Sequence, residues 1–217
     1  MTSIPRDKRG GFTLLELIIV VAISGVVMAI GSSTFVAVAS AWNESKTVTE
    51  LDAQADLALE TIRRDITDAL SAEVSGVAIR GASKTVSDSR TYPAAQHADD
   101  SLMIPIRALD PSRELSVPAS VGYRVDRGAG ATGVLVRTVG PLGTANPQTN
   151  RLEVMPGAVV QGFNVEYLVP GGNGLWVDEW TEPRMPAAVR ISLAIEDTDR
   201  PNQFQSSRQI VIPVRVR

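Results

Sequence analysis

The hydrophobic period of the chain changes twice. From Phe12 to Trp42 almost every residue is apolar or small, and Glu16 is the only ionisable side chain. After Trp42 the pattern turns amphipathic: Val48, Leu51, Ala55, Ala58, Leu59, Ile62, Ile66, Ala69 and Leu70 recur at three- and four-residue steps. Asp52, Asp56, Glu60, Arg63, Arg64 and Asp68 fall largely on the other face. That is the period of a helix with one buried stripe. No proline lies between Pro5 and Pro93, so the pattern predicts one helix from about Phe12 to Glu73, roughly 90 Å long. Its first twenty residues, 12–31, would span about 30 Å, the thickness of a bilayer core. Segment 12–41 is therefore expected in a membrane and 42–73 as its amphipathic continuation, with Trp42 at the interface.

Residues 75–98 are small, polar and weakly patterned, which predicts a loop. Beyond them the period drops to two. Candidate strands cover 101–107, 120–126, 133–139, 151–155, 159–169, 175–180, 187–195 and 209–216. Turn residues such as Pro170-Gly171-Gly172-Asn173-Gly174 and Asp199-Arg200-Pro201-Asn202 separate them. Short turns favour antiparallel pairing. The expected fold class is α+β: a long N-terminal helix packed on a C-terminal antiparallel β-sheet domain, residues 74–217.

Composition narrows the chemistry. The 217 residues include no cysteine and one histidine, which removes disulfides, thiolate metal sites and cysteine nucleophiles. A formal net charge of −3 gives no basic footprint for nucleic acid. Gly128-Ala-Gly130-Ala-Thr-Gly133 spells a GxGxxG, but a strand-like run follows it where a dinucleotide site needs a helix. His97 stands in a polar stretch beside Asp99 and Asp100, and zinc sites of the usual ligand sets are implausible around one histidine. Asp197-Thr198-Asp199 lacks the glycine and terminal glutamate of a calcium loop. No catalytic residue, cofactor or metal is expected.

The N-terminus carries the sharpest motif. Arg6, Lys8 and Arg9 outweigh Asp7 ahead of the apolar run, which predicts a cytoplasmic N-terminus. A conventional secretory signal would have a shorter apolar region followed by a small-residue cleavage site. Gly11-Phe12-Thr13-Leu14-Leu15-Glu16, after a short basic leader, resembles the class III signal of type IV prepilins. The resemblance implies cleavage between Gly11 and Phe12 by a prepilin peptidase, removal of leader 1–11, N-methylation of Phe12 and a pilin-like fold.

It also gives Glu16 a reason. A carboxylate deep in an apolar segment costs about 2.5–3.5 kcal/mol on insertion scales and needs a partner. Cleavage creates an amine on Phe12, one helical turn before Glu16, and a helix N-terminus favours negative charge. In the prepilin family this carboxylate pairs with the terminal amine of a neighbouring subunit during assembly.

A second, looser resemblance lies in the C-terminal half. Gly162-Phe163-Asn164-Val165-Glu166-Tyr167-Leu168, the Trp176-Val-Asp-Glu-Trp180 run and Arg184-Met-Pro-Ala-Ala-Val-Arg-Ile191 are similar to the late part of J-type minor pseudopilins of type II secretion. So are Tyr123-Arg124-Val125 and Val134-Leu135-Val136-Arg137. The resemblance implies a subunit at the tip of an inner-membrane pseudopilus, with I-type and K-type minor pseudopilins as partners and the C-terminal domain in the periplasm. Trp176 and Trp180, four apart in a strand, would share one face, either as core or as a partner interface. The competing expectations are a minor pilin of a type IV pilus or DNA-uptake filament, and an enzyme or receptor domain on a simple anchor. Glu16→Ala separates the filament readings from a simple anchor: cleavage and membrane insertion persist while incorporation into the filament is lost, as read by fractionation. Normal incorporation of the variant would remove the pairing role.

Overall fold

The structure, a computed structural model, describes residues 13–87, 96–110, 115–127, 133–142, 152–153, 158–200 and 205–215. It divides into two compact units, Met1–Lys46 and Thr47–Arg217. Helix α1 runs over Leu14–Thr67 and contributes to both. In the first unit its residues 14–38 are exposed throughout. The second unit holds a short helix α2 (Ala72–Ser75) and strands β1 (Arg80–Ala82), β2 (Thr85–Ser87), β3 (Gln96–Ala98), β4 (Ser101–Asp110), β5 (Leu115–Asp126), β6 (Val134–Pro141), β7 (Leu152–Glu153), β8 (Ala158–Leu168), β9 (Trp176–Val177), β10 (Ala188–Asp197) and β11 (Gln205–Pro213).

The strands form a five-stranded sheet in the order β1-β4-β5-β6-β7, a four-stranded sheet β11-β10-β8-β9 and the hairpin β2-β3. Every ladder is antiparallel. The expected fold class therefore stands, with two sheets sharing one core. Isolated bridges join the sheets at Gly133–Val160, Asp99–Phe163 and Gly81–Trp180.

The soluble half of α1 buries the stripe that its sequence announces. Leu51, Ala55, Ala58, Leu59, Ile62 and Ile66 join one core with Ile104, Val121 and Leu135 of the first sheet and Val165, Ile191 and Ile212 of the second. The four large side chains on that stripe, Leu51, Leu59, Ile62 and Ile66, contribute about 1.5–3 kcal/mol each by the area relation, an upper bound because unfolded chains already bury some surface.

Polar contacts fix how the helix lies on the sheets. Asp65 faces inward, where Tyr123 of β5 donates its hydroxyl to Oδ2 (2.5 Å). Arg137 of β6 grips the same carboxylate through Nε (2.8 Å) and a terminal nitrogen (3.1 Å). Burial pushes the Tyr123 phenol well above its ordinary range, and the Asp65 charge pushes the same way. Burial works against the Arg137 cation, but the Asp65 carboxylate outweighs it and leaves that group above its usual value. On the second sheet, Asp52 accepts from Ser206 (2.5 Å) and pairs with Arg208 (2.6 Å).

Three expectations need correction. The helix ends at Thr67 rather than near Glu73, because the backbone N–H of Leu70 is drawn to the Pro105 carbonyl of β4 (2.8 Å). Helix then resumes briefly in α2, which Gly76 stops in a left-handed conformation (φ 68°). Within the expected loop 75–98, the described residues include strands, since β1 pairs with β4 and β2 with β3. The expected strand 175–180 also shortens to β9, two residues long.

Behind β1, Asp100 is 1% exposed and staples two segments, accepting the Lys84 N–H (3.0 Å) and the Val165 N–H (2.8 Å). Burial raises its carboxyl above the ordinary aspartate range, and those two N–H groups pull it back. Nearby, the buried Tyr167 ring packs on Trp180 with 6.2 Å between centroids. Its hydroxyl lies so close to Gly81 that a Cβ there would sit 1.6 Å away.

Two substitutions test this packing. Asp65→Asn leaves the Arg137 guanidinium half-buried without its counter-charge, and should lower stability in urea by about 2–3 kcal/mol; a loss below about 0.5 kcal/mol would mean that the clamp adds nothing. Gly81→Ala must displace Tyr167, and should cost about 1–3 kcal/mol as an overpacked site, read from the same unfolding curves.

Candidate assembly site

The expected cleavage and methylation residues, Gly11 and Phe12, lie outside the described residues. The structure begins one residue later, where Thr13 caps α1. The Glu16 N–H is shared between the Thr13 hydroxyl (3.3 Å) and the Thr13 carbonyl (3.1 Å). Threonine at the cap and glutamate three residues on are the capping-box sequence. That signal stands in the sequence, and it locates the helix start independently of any processing. It also places Glu16 in the first turn, where the helix macrodipole favours its charge. Among the described residues the Glu16 carboxylate has no cationic partner.

The helix that follows is long and apolar enough to cross a membrane, and its apolar window is unburied within the protein. Three of its hydroxyls are satisfied by its own backbone. Ser33 and Thr34 both donate to the Ile30 carbonyl (2.9 Å each), and Ser40 donates to that of Ala37 (2.9 Å). Such internal bonds remove the cost of placing these groups among apolar neighbours.

The two tryptophans part company. Because β9 is only two residues long, the chain leaves the strand before Trp180, and strand spacing no longer relates the rings. Trp180 returns to pair with Gly81 of β1 through both backbone groups (3.0 and 3.1 Å). Its ring is 1% exposed, and Nε1 donates to the Arg184 carbonyl (2.9 Å). Trp180 is therefore a core residue, and the expectation of a partner surface at its ring is corrected by burial. Trp176 is half-buried; the Arg190 guanidinium stacks 4.0 Å from its ring centroid and also reaches Glu166 (3.1 Å).

Gly128 and Gly130 lie outside the described residues, while Gly133 leads into strand β6 rather than a helix. His97 is on β3, with its side chain outside the described residues. Asp197 accepts the Asp199 N–H (3.1 Å) in a local turn. Among the described residues no group of three or more acidic or histidine side chains could hold a metal.

No curated protein matches the chain. Among solved structures it is similar to a type IV-like pilin from Thermus thermophilus, at 13% identity over 76% of this chain and 95% of that one, with a TM-score of 0.47. The model of the prokaryotic N-terminal methylation motif matches residues 6–32, the stretch that holds Gly11, Phe12, Thr13 and Glu16. This methylation motif stands at the head of a long apolar helix that leads into antiparallel sheets.

Proposed function

We propose that this chain is a minor pseudopilin of type II secretion, of the J type, assembled at the tip of an inner-membrane pseudopilus that drives protein export. The observation that carries the reading is the methylation motif over residues 6–32, which runs into the start of an exposed apolar helix. Prepilin peptidase cuts between Gly11 and Phe12, and Phe12 is N-methylated. The new amine of a neighbouring subunit then meets Glu16, whose helix start is already set by Thr13. The second unit stands in the periplasm and associates with I-type and K-type minor pseudopilins. With Trp180 in the core, Trp176 and its stacked Arg190 are what remains of the tryptophan pair to meet a partner. The work is mechanical, and no catalytic group takes part in it.

The motif alone serves a minor pilin of a type IV pilus equally well. The J-type assignment rests on the run from Gly162 to Ile191. Tagged full-length chain, co-expressed with I- and K-type minor pseudopilins and extracted in mild detergent, should co-purify with both. Recovery of the chain alone would overturn the tip-complex role. In the native host, deletion should abolish secretion and leave twitching intact; the reverse outcome would assign the chain to a pilus.

A further inference from the structure

Strand β11 lies at the edge of the four-stranded sheet and has β10 as its one neighbour among the described strands. The Val214 N–H donates to the Ala187 carbonyl (3.0 Å), and the register continues as Val189–Ile212 and Arg190–Val211. Antiparallel ladders alternate, so the even-numbered residues of β11 turn their backbone groups to β10. Ser207, Gln209 and Val211 turn theirs to the open side. The same alternation holds one strand further in, where Val165 of β8 sends its N–H away from β10 to Asp100. Pro213 has no N–H, so the row of open donors ends at Val211.

Natural edge strands are commonly blunted by charge, yet the three residues that face this edge are uncharged and exposed, Val211 by 50%. The single charged side chain of β11, Arg208, is instead drawn to Asp52 (2.6 Å) and Asp56 (3.5 Å) on α1. Beside the edge runs a groove of about 250 Å³ between Arg63 and Thr67 of α1 and the stretch from Val211 to Arg215. Its charge is positive on balance. Glu60 neutralises Arg63 (2.6 and 2.5 Å), while exposed Arg215 has no ion pair among the described residues.

We propose that the open edge of β11 receives an extended segment of another protein in which apolar and acidic residues alternate. An added strand bonds to the N–H and C=O groups of Ser207, Gln209 and Val211, which face no other strand among the described residues, as in other strand-addition interfaces. Residues directly opposite share a face, so its apolar side chains lie beside Val211 on the outer face. The intervening residues turn into the groove, where a carboxylate meets Arg215 and the rim of Arg63. A second copy of β11 is a poor occupant, since on that side it offers Arg208, Ile210 and Ile212 and no carboxylate.

The test uses the full-length, isotope-labelled chain in detergent micelles and a labelled peptide Thr-Val-Glu-Val-Glu-Val-Thr, with a lysine-for-glutamate peptide as control. Saturable binding is expected, with amide exchange at Ser207, Gln209 and Val211 slowed about tenfold or more. Val211→Pro removes an outward N–H and leaves the β10 ladder intact; it should weaken binding at least about tenfold, as should Arg215→Glu, and the lysine peptide should bind equally poorly. The proposal falls if the glutamate peptide does not bind, if the lysine peptide binds as well, or if protection appears on another strand. It falls too if the three amides are already protected in a self-associated chain without peptide. Should Val211→Pro unfold by circular dichroism, Arg215→Glu and the exchange map decide.

Discussion

The soluble unit depends on one arrangement: a single helical stripe serves two sheets at once. Ala55 and Ala58 are fully buried, and side chains this small let the α1 backbone approach closely while Leu59, Ile62 and Ile66 reach into the core. Apolar contact alone is non-directional and would let the helix slide or roll. The polar contacts remove that freedom. Asp65 takes hold of the first sheet through Tyr123 and Arg137, and Asp52 takes hold of the second through Ser206 and Arg208. The two aspartates stand thirteen residues apart on one helix, so they fix its position along the sheets as well as its rotation.

How far the sequence reveals this depends on the range of the forces involved. The stripe from Leu51 to Ile66 and the two-residue alternation in β8 and β10 are local signals, and the structure follows them closely. Thr13 and Glu16 are equally local, a capping box four residues long. The failures are all long-range. Nothing near Thr67 marks a helix end, because the cause is a carbonyl at Pro105. Arg80-Gly81-Ala82 has no strand pattern and becomes one by pairing with β4 and with Trp180. The role of Asp65 has no local signal either, because Tyr123 and Arg137 reach it from 58 and 72 residues away.

The two units divide the labour physically. In residues 14–38 apolar side chains are exposed, and the Ser33 and Thr34 hydroxyls are closed onto the helix backbone, a surface suited to lipid or to other helices of the same kind. In the second unit the apolar surface is turned inward and charge is turned to water or into pairs. The tryptophans follow the same division on a smaller scale: Trp180 is spent on joining the two sheets, and Trp176 stays at the boundary under Arg190.

The Asp52–Ser206 contact joins residues 154 apart in sequence, near the start of the soluble unit and in its final strand. Synthesis delivers α1 long before either sheet that must cover it. Until the strands of both sheets have emerged, the stripe of α1 cannot be fully covered by its own chain, and docking waits on closure of very long loops. The apolar residues ahead of it carry no such delay, because their helix bonds are all local. The helix ahead of it can therefore be fully formed while the rest of the chain is still unfolded.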